Sequence, residues 1–472
     1  MTAEATLGSS SASHYGSSVT AVEPGGIERV PASERHGSPI QLLWTWSSPN
    51  LEFATVFVGV LGVAVFGLSF WQAAAALVLG SAVGGLTHGV LSSWGPRAGL
   101  PQMVLSRTGF GFLGNLLPAG LNAVMAGAGW FAVNSVSGAL ALSALTGLSG
   151  KLCLVIIVIA ELAIGFMGHN LVHAFERIAL PVLVVAFALG AVSVFSSANL
   201  GAAATGDGSV LAGFTVTFST AFGYAAGWNP YGTDYTRYLP EDTSPTLTGF
   251  YAGFGNFFSC AVLTVVGAAS ATIPAIGENP TENFTGPMPT WIGNLVLFGI
   301  ALGAVSANAV NVYSAAMSFL ALGVKLPLNL RRAIVAIGFG LIGFILAWTS
   351  LADAGEKYEN FLLVIAYWIA PWLGVVLVDR WLRRGTVIDD IIEDTRYTNW
   401  AGPIAMLVSM VVSIYLFSYQ TEYSGPLAGG SVGDITPLVG IALAAGIYYV
   451  LFKLLKPAAP KEHYVPAHHA PE

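Results

Sequence analysis

The sequence predicts an all-helical protein with twelve membrane-spanning segments, from its composition, its apolar runs and the distribution of its basic residues. Of its 472 residues, 54% are hydrophobic and only 9% are charged, against about 25% charged residues in an average soluble domain. The chain has 56 glycines and a mean hydropathy of +0.70, and small residues let helices pack closely within a bilayer. This composition excludes an ordinary soluble protein.

The charge balance and the cysteines exclude other classes. The 18 basic and 25 acidic residues give a formal net charge of -7, so the chain lacks the basic surface that binds nucleic acid. Its two cysteines, Cys153 and Cys260, lie within apolar runs, so we expect neither a disulfide framework nor a zinc site. The expected surroundings are a lipid bilayer.

Both ends of the chain are polar. Residues 1–40 are rich in Ser, Gly, Pro and Glu and lack the basic start and apolar centre of a cleavable signal peptide. We therefore predict a disordered cytoplasmic tail over residues 1–40, a transmembrane domain over residues 41–455 and a cytoplasmic C-terminal tail over residues 456–472.

Twelve apolar stretches approach the roughly 20 helical residues that cross a bilayer core. They are residues 41–66, 68–92, 114–145, 152–168, 177–197, 211–239, 248–272, 290–322, 332–350, 358–382, 401–418 and 434–455. With a cytoplasmic N terminus, 16 of the 18 Lys and Arg residues fall on inner segments, and only Lys151 and Lys357 fall outside. Because basic residues are retained in the cytoplasm, both termini are predicted to lie inside a cell membrane.

Two of these spans carry prolines and polar residues at matching positions. Pro49 follows Trp46 in the first span, and Pro230 follows Gly227 and Trp228 in the sixth. Paired interruptions of this kind are typical of transporters that are built from inverted repeats, with the binding site at the breaks. The repeats would cover residues 41–197 and 211–382, followed by two extra helices over residues 401–455. The alternative is that both prolines merely kink lipid-facing helices.

Polar and aromatic residues within other spans indicate a ligand. Trp130 and Asn134 share one helical face of the third span, and Asn308 and Asn311 share one face of the eighth. Carboxamides match a ring edge that alternates N–H and C=O groups. The sixth span offers three further rings, which are Phe222, Tyr224 and Trp228. The predicted ligand is a flat, uncharged heterocycle, and the alternative is that the amides only tie helices together.

Two acids lie at apparent membrane depth, which makes each a functional candidate. Glu52 follows the first break, where it could couple ligand movement to a proton, or could instead cap the helix that follows. Glu161 in the fourth span lies away from the breaks and is interpreted as either a structural hydrogen-bonding group or a functional one.

Several segments resemble the nucleobase-cation symporter family, in its purine and cytosine permease branch. The main match is GWNPYGTDYTRYLP at residues 227–240. Similar segments are residues 95–107, 168–177, 308–314 and 367–371, so that the resemblance covers about residues 40–400. It implies a LeuT-like bundle of ten core helices plus two, and inward transport of a nucleobase or related heterocycle driven by a proton or sodium gradient.

The resemblance also implies roles for individual residues. Trp130 would stack on the ligand and Asn134 and Asn311 would hydrogen-bond to it, while Asn308 and Ser48 match positions implicated in the same branch. Ala225 stands where hydantoin-type members have a stacking Trp.

In sodium-coupled members the ion lies between carbonyls of the first span and hydroxyls of the eighth. Ser306 matches one such hydroxyl and Val305 replaces the other, which together with Glu52 favours a proton. The prediction is a symporter of nucleobases such as cytosine, purines, uracil or allantoin, without a further cofactor. An amino-acid carrier of the same fold and a passive channel are the alternatives. A membrane enzyme is disfavoured because the sequence lacks a metal motif such as H-E-x-x-H.

Overall fold

A computed structural model describes most of residues 26–457. The exceptions are residues 168, 207–208, 276–278, 325–330, 352–353, 421 and 429–430, and the side chains of residues 331–336 and 354–356. Residues 1–25 of the predicted N-terminal tail and residues 458–472 of the predicted C-terminal tail therefore lie outside the described residues.

The regular secondary structure of the described residues is helical, together with two isolated β-bridges. The helices that correspond to the twelve predicted spans are, in order, Gln41–Ser47 with Ser48–Asn50 and Phe53–Ala64; Phe70–Ser92; Leu116–Val124 with Met125–Trp130 and Phe131–Thr146; Gly150–Met167; His169–Ser197; Val210–Ala226 with Asn229–Tyr231 and Gly232–Thr236; Pro245–Ser270; Thr290–Ala321; Arg331–Ser350; Ala354–Leu382; Ala401–Phe417; and Thr436–Leu455. A short helix, Ala32–Glu34, precedes them, and further short helices connect them at Gly95–Ala98, Gln102–Leu105, Arg107–Gly114, Pro280–Thr285 and Asp389–Glu393.

The apolar helices confirm a protein that crosses the membrane many times. Within the described ranges, nine helices are long and apolar enough to span a bilayer, and the bent first pair raises the number to ten. Two shorter apolar helices, Ile337–Ser350 and Ala401–Phe417, lie where the ninth and eleventh spans are predicted. The count of twelve stays a prediction.

Two boundaries differ from the sequence prediction. The fifth span begins at His169, eight residues before the predicted residue 177. Residues 26–40, predicted to belong to a disordered tail, pack against the bundle instead: Val30 N donates to Gly99 O at 3.0 Å and His36 N donates to Tyr238 O at 2.6 Å. Backbone hydrogen bonds to two different inter-helix segments hold this part of the chain, and composition alone does not reveal such partners.

Close packing of the first span against the seventh fixes the position of the first break. A Cβ atom on Gly59 would lie 1.7 Å from Thr264 O, and one on Gly267 would lie 1.8 Å from Val56 O. Only glycine allows the two backbones to approach this closely, as in other lipid-embedded helix pairs. The break is therefore held against a neighbouring helix whose side chains can satisfy the backbone groups it frees.

Candidate functional site

The first span breaks at Pro49, as predicted. Gln41–Ser47 ends there, Ser48–Asn50 forms a 3₁₀ turn, and Phe53–Ala64 begins after a bend of 58°. Asn50 Nδ2 donates to Trp46 O at 2.8 Å and to Ser259 Oγ of the seventh span at 3.1 Å. Polar partners from protein thus replace helical hydrogen bonds at mid-depth, as a buried break requires.

The sixth span is interrupted at the predicted Gly227 and Pro230, but it bends less sharply. The α-helix ends at Ala226, and Pro230 lies in the 3₁₀ turn Asn229–Tyr231. Only the first span has a break with a bend above 40° among the described residues. Asn256 of the seventh span donates to Ala225 O at 2.9 Å, so a side chain satisfies a carbonyl at this interruption as well.

The two breaks lie against each other. Trp228 Nε1 of the sixth span donates to Asn50 Oδ1 of the first at 2.7 Å. The hydroxyls of Tyr224 and Thr55 lie 2.5 Å apart. The rings of Trp46 and Trp228 are 6.0 Å apart in an edge-on arrangement. Two helix interruptions that are far apart in the sequence therefore form one region.

Trp130 lies beside this region at the end of a π-helical turn, Met125–Trp130. Its ring meets Tyr224 at 5.5 Å and Phe361 at 5.0 Å, both edge-on. A Cβ atom on Gly227 would lie only 3.1 Å from Trp130 Cζ2, so the glycine leaves room for the indole at the second break. π-helical turns occur frequently at functional sites.

The predicted amides form a connected cluster next to Trp130. Asn308 Oδ1 accepts from Asn134 Nδ2 at 3.0 Å and from Asn311 Nδ2 at 3.2 Å. Asn308 Nδ2 donates to Phe131 O at 2.9 Å. Because a carbonyl can only accept, this contact fixes which end of the Asn308 amide is nitrogen. All three carboxamides are buried.

Tyr231 connects the amide cluster to the second break. Its hydroxyl donates to Asn311 Oδ1 at 3.1 Å, and its ring lies 5.7 Å from the ring of Trp228. Tyr231 is not among the residues predicted from the sequence. Tyr231 could have been predicted from its position one residue after Pro230, because a side chain beside a helix interruption lies close to the binding region expected there.

Phe222 is not brought to this cluster. It is buried, and its ring stacks on Phe218 one turn earlier at 6.5 Å. Tyr224 contacts Trp130, whereas Trp228 lies against Trp46 and Tyr231. The three rings that the sequence grouped together therefore have three different surroundings.

Glu52 caps the helix that follows the first break. Its Oε2 accepts from Ala54 N at 2.8 Å and from Ser137 Oγ at 3.4 Å, and its Oε1 accepts from Tyr224 OH at 3.2 Å. The side chain is fully buried. A helix N terminus stabilises a carboxylate, so capping accounts for the contact with Ala54 N. The other two contacts connect Glu52 to the third and sixth spans.

Ser48 and Ser306 meet between the first and eighth spans, beside an acid that is not among the residues predicted from the sequence. Their hydroxyl oxygens are 3.3 Å apart, and Ser306 Oγ donates to Glu176 Oε2 at 2.6 Å. Glu176 is buried two turns inside the fifth span. The predicted fifth span begins one residue too late to include it. The apolar residues at helical spacing before it, Val172 and Phe175, are the missed signal.

Glu161 lies behind the amide cluster. Its Oε2 accepts from Ser135 Oγ at 2.6 Å, and Ser135 Oγ in turn lies 3.2 Å from Asn308 Nδ2. The fourth span is thus connected to the eighth through one serine of the third. In the described part of the chain, no three His, Cys, Asp or Glu side chains converge as metal ligands.

Comparison with known proteins identifies the family. The model of the family described as permease for cytosine/purines, uracil, thiamine, allantoin matches residues 29–440. The chain belongs to this permease family. It is therefore a membrane transporter and not an enzyme.

Relatives and solved structures agree with this assignment. A Bacillus subtilis protein whose name describes it as a purine-cytosine permease is 30% identical, over 92% of this chain and 96% of its own length. The purine-cytosine permease FCY2 of Saccharomyces cerevisiae is 28% identical, over 92% of this chain and 86% of its own. Mhp1, a nucleobase-cation-symport-1 family transporter solved in a closed conformation with bromovinylhydantoin bound, has a TM-score of 0.72. It is 18% identical and covers 92% of this chain and 96% of its own. The permease therefore has the predicted LeuT-like fold.

Proposed function

We propose that this permease imports a neutral, planar nucleobase or related heterocycle by symport with a cation, through alternating access. The observation that carries the proposal is the cluster of Asn134, Asn308 and Asn311 beside Trp130, where the two helix breaks meet. The names of the relatives, among them purine-cytosine permeases and an allantoin permease of Bacillus subtilis, support the same ligand class.

The amide cluster has hydrogen-bonding capacity left for a ring edge. Asn308 uses its oxygen for Asn134 and Asn311, and its two N–H groups for Phe131 O and Ser135. Asn134 and Asn311 each retain a second N–H, and within the described part of the chain Asn134 Oδ1 accepts no hydrogen bond. The cluster therefore offers donors and an acceptor side by side, which complements the alternating N–H and C=O groups of a nucleobase.

The aromatic residues and a neighbouring cavity complete the proposed site. Trp130 would bind the face of the ring, with Tyr224 from the sixth span as its neighbour. A cavity of about 200 Å³ is lined by Ala54, Gly129, Ser137, Lys357, Tyr358 and Phe361. The last two of these residues contact the ring of Trp130. Since Lys357 is predicted to lie outside, this cavity would be the route by which the ligand arrives. Tyr231 would be coupled to the ligand through its hydrogen bond to Asn311. Trp228 would be coupled to it through its hydrogen bond to Asn50.

The cation would lie where the first, fifth and eighth spans meet. Ser48, Ser306 and Glu176 place two hydroxyls and a carboxyl there, and oxygen ligands of this kind suit either a proton or a sodium ion. A structural neighbour with a TM-score of 0.63 is a Na+-coupled sialic acid symporter. Glu52, the coupling acid considered from sequence, caps the helix after the first break and would be the second candidate for the coupling group.

The position of the chain in the cell is part of the same proposal. Both termini would lie in the cytoplasm and the protein in the cell membrane, because that orientation leaves only Lys151 and Lys357 on the outer side. The two inverted repeats would cover residues 41–197 and 211–382, with the extra helices over residues 401–455. Protease protection and cysteine labelling in intact cells test this orientation.

Transport by the reconstituted full chain tests the function. Labelled cytosine, adenine, hypoxanthine, uracil and allantoin would be offered to proteoliposomes under proton or sodium gradients, and with an ionophore. We expect gradient-dependent accumulation of at least one base. Accumulation of amino acids in place of bases, or flux that is unaffected by the ionophore, would contradict the proposal.

A matched pair of variants connects the transport to the site. Asn134 and Asn122 are both buried amides of the third span that donate to the eighth, Asn134 to Asn308 and Asn122 to Ser318 at 2.7 Å. Asn134→Ala should weaken base binding about tenfold or more, since one hydrogen bond is worth roughly 0.5–1.5 kcal/mol and a buried unpaired group costs more. Asn122→Ala should leave affinity within about twofold. Equal effects of the two variants would remove the amide cluster from the site.

A further inference from the structure

A second cavity, which we call the inner cavity, lies at the opposite end of the tenth span from the proposed route of the ligand. It has a volume of about 990 Å³, and its walls are parts of residues 29–35, 94–108 and 376–393, with Glu241. The tenth span ends at Leu382, so the inner cavity lies at its end, whereas Lys357 near its start lines the other cavity. None of the transport steps proposed above uses the inner cavity.

Three of the five arginines that line the inner cavity are held by acceptors of the protein itself. Arg29 pairs with Asp389. Arg383 Nε donates to Asp379 Oδ1 at 2.8 Å, and the guanidinium of Arg35 donates to two backbone carbonyls. These three side chains are therefore fixed as walls, and a ligand would be bound by the other two arginines.

The other two arginines, Arg97 and Arg380, form what we call the arginine pair. In the part of the chain that the structure describes, their guanidiniums donate no hydrogen bond and lie within 4 Å of no carboxylate. Arg380 lies over the ring of Trp94 at 5.5 Å, and its neighbour Asp379 already accepts from three other side chains. The two positive charges are close enough to repel each other. An anion between them would remove this repulsion, and guanidinium groups match phosphate with two parallel hydrogen bonds each.

The four acids of the lining do not take up this charge. Asp379 and Asp389 are engaged with arginines of the walls. Glu241 attracts Arg35, and Glu393 is exposed to solvent, where its charge is screened. The positive charge of the arginine pair is therefore left for a ligand.

Aromatic residues indicate that the arginine pair lies at the depth of lipid headgroups. Trp381 directly follows Arg380 and is 51% exposed, and its ring lies 6.1 Å from that of Tyr449, which is 42% exposed. Lys453 Nζ lies 5.8 Å from the same tyrosine ring. Exposed Trp and Tyr residues gather at the membrane–water interface, and basic pockets between helices on the cytoplasmic side bind phospholipid headgroups. An anionic headgroup would thus reach the arginine pair.

We propose that the inner cavity is a binding site for a phosphate-bearing anion, which is held by the arginine pair. The depth of the site favours a phospholipid headgroup as the source of the phosphate, and a soluble phosphate is the other source. The bound phosphate would bridge the segment between the second and third spans to the end of the tenth, so we expect it to stabilise the folded protein. This inference does not depend on the transported substrate. Only the leaflet that supplies the lipid, the inner one, depends on the proposed orientation.

Thermal stability of the purified full chain in detergent tests the site. The melting temperature would be measured at rising concentrations of phosphatidylglycerol, phosphatidylcholine or inorganic phosphate. Arg97→Gln and Arg380→Gln each remove one charge of the pair, and Arg97→Lys keeps the charge but not the planar fork of donors. Arg384→Gln is the matched control, because Arg384 is an exposed arginine one turn after Arg380 and lies outside the lining of the inner cavity.

We expect phosphatidylglycerol to raise the melting temperature of the wild type, and phosphatidylcholine to do so more weakly because its choline group is positive. The half-saturating concentration of phosphatidylglycerol should rise about tenfold in Arg97→Gln and in Arg380→Gln. It should rise less in Arg97→Lys and stay at the wild-type value in Arg384→Gln. The same pattern with inorganic phosphate, and none with the lipid, would support the anion site with a soluble source.

Two results would overturn the inference. One is a wild-type melting temperature that responds to neither phosphatidylglycerol nor inorganic phosphate. The other is an equal loss of response in Arg384→Gln, which would assign the effect to general surface charge. Should Arg380→Gln fail to fold, the exposed Arg97 and its two variants decide the question. Failure of the proposed function would be visible separately, because base transport is not part of this measurement.

Discussion

Substitution of Glu52 separates two roles of this residue. A role in capping affects the stability of the protein, whereas a role in coupling affects gradient-driven accumulation of the substrate. Glu52→Ala removes the acceptor of Ala54 N, and loss of an N-cap costs about 0.5–2 kcal/mol. The Tyr224 hydroxyl also loses an acceptor, but Thr55 Oγ1 lies 2.5 Å from it and can accept in its place. The expected loss of stability is therefore that of the cap, about 0.5–2 kcal/mol. For a chain of this size it corresponds to a fall of about 1–2 °C in melting temperature.

Glu52→Gln is the matched variant. Its amide oxygen can still accept from Ala54 N, and it lacks a group that could release a proton. We expect a melting temperature close to that of the wild type, measured in detergent, and gradient-driven accumulation of base that persists in proteoliposomes. If Glu52→Gln folds normally but only equilibrates its substrate, Glu52 carries the coupling proton, and the expectation that capping is its whole role is wrong.

Three further outcomes follow from the same structure. Asn311→Ala should weaken base binding by tenfold or more in an equilibrium binding assay, while the protein remains monodisperse; unchanged affinity would remove Asn311 from the site. Gly303→Ala should strongly reduce thermal stability and transport, because a Cβ atom there would lie 2.4 Å from Leu51 O at the first break. Wild-type behaviour of this variant would show that the first and eighth spans are not tightly packed. Asp434→Ala should lower the free energy of unfolding by about 1–3 kcal/mol, because Asp434 accepts from Tyr419 N at 3.0 Å and from Thr436 N at 2.9 Å. Base affinity should not change, and a changed affinity would contradict the structural role of Asp434.

The position of the first break and the identity of the amide residues could be predicted from the sequence. A proline beside polar residues interrupts a helix whatever surrounds it, because it lacks an amide hydrogen. Asn308 and Asn311 share a helical face through the geometry of one helix. Local rules also predicted that the sixth span is interrupted near Gly227, although not that it bends less than the first.

The roles of the acids could not be predicted in the same way. Glu52 had two interpretations from sequence. The structure shows the cap, and only the packed helices bring Ser137 and Tyr224 to the same carboxyl; the coupling role stays a prediction. Glu176 was missed because the start of a helix is set by tertiary contacts as well as by hydropathy. Phe222 and Tyr224 are two residues apart on one helix and therefore point in different directions, and the rotation of that helix against its neighbours decides which of them meets Trp130.

By itself, the sequence determined that the chain is a membrane-embedded helical bundle with two interrupted spans and an amide-rich interior. Those properties depend on apolar length, proline and helical periodicity, which act within one segment. Tertiary structure alone decided which donor meets which acceptor: Asn134 with Asn308, Tyr231 with Asn311, Ser135 with Glu161. Hydrogen bonds depend on separations of about 3 Å between different helices, and such distances are fixed only when the helices pack.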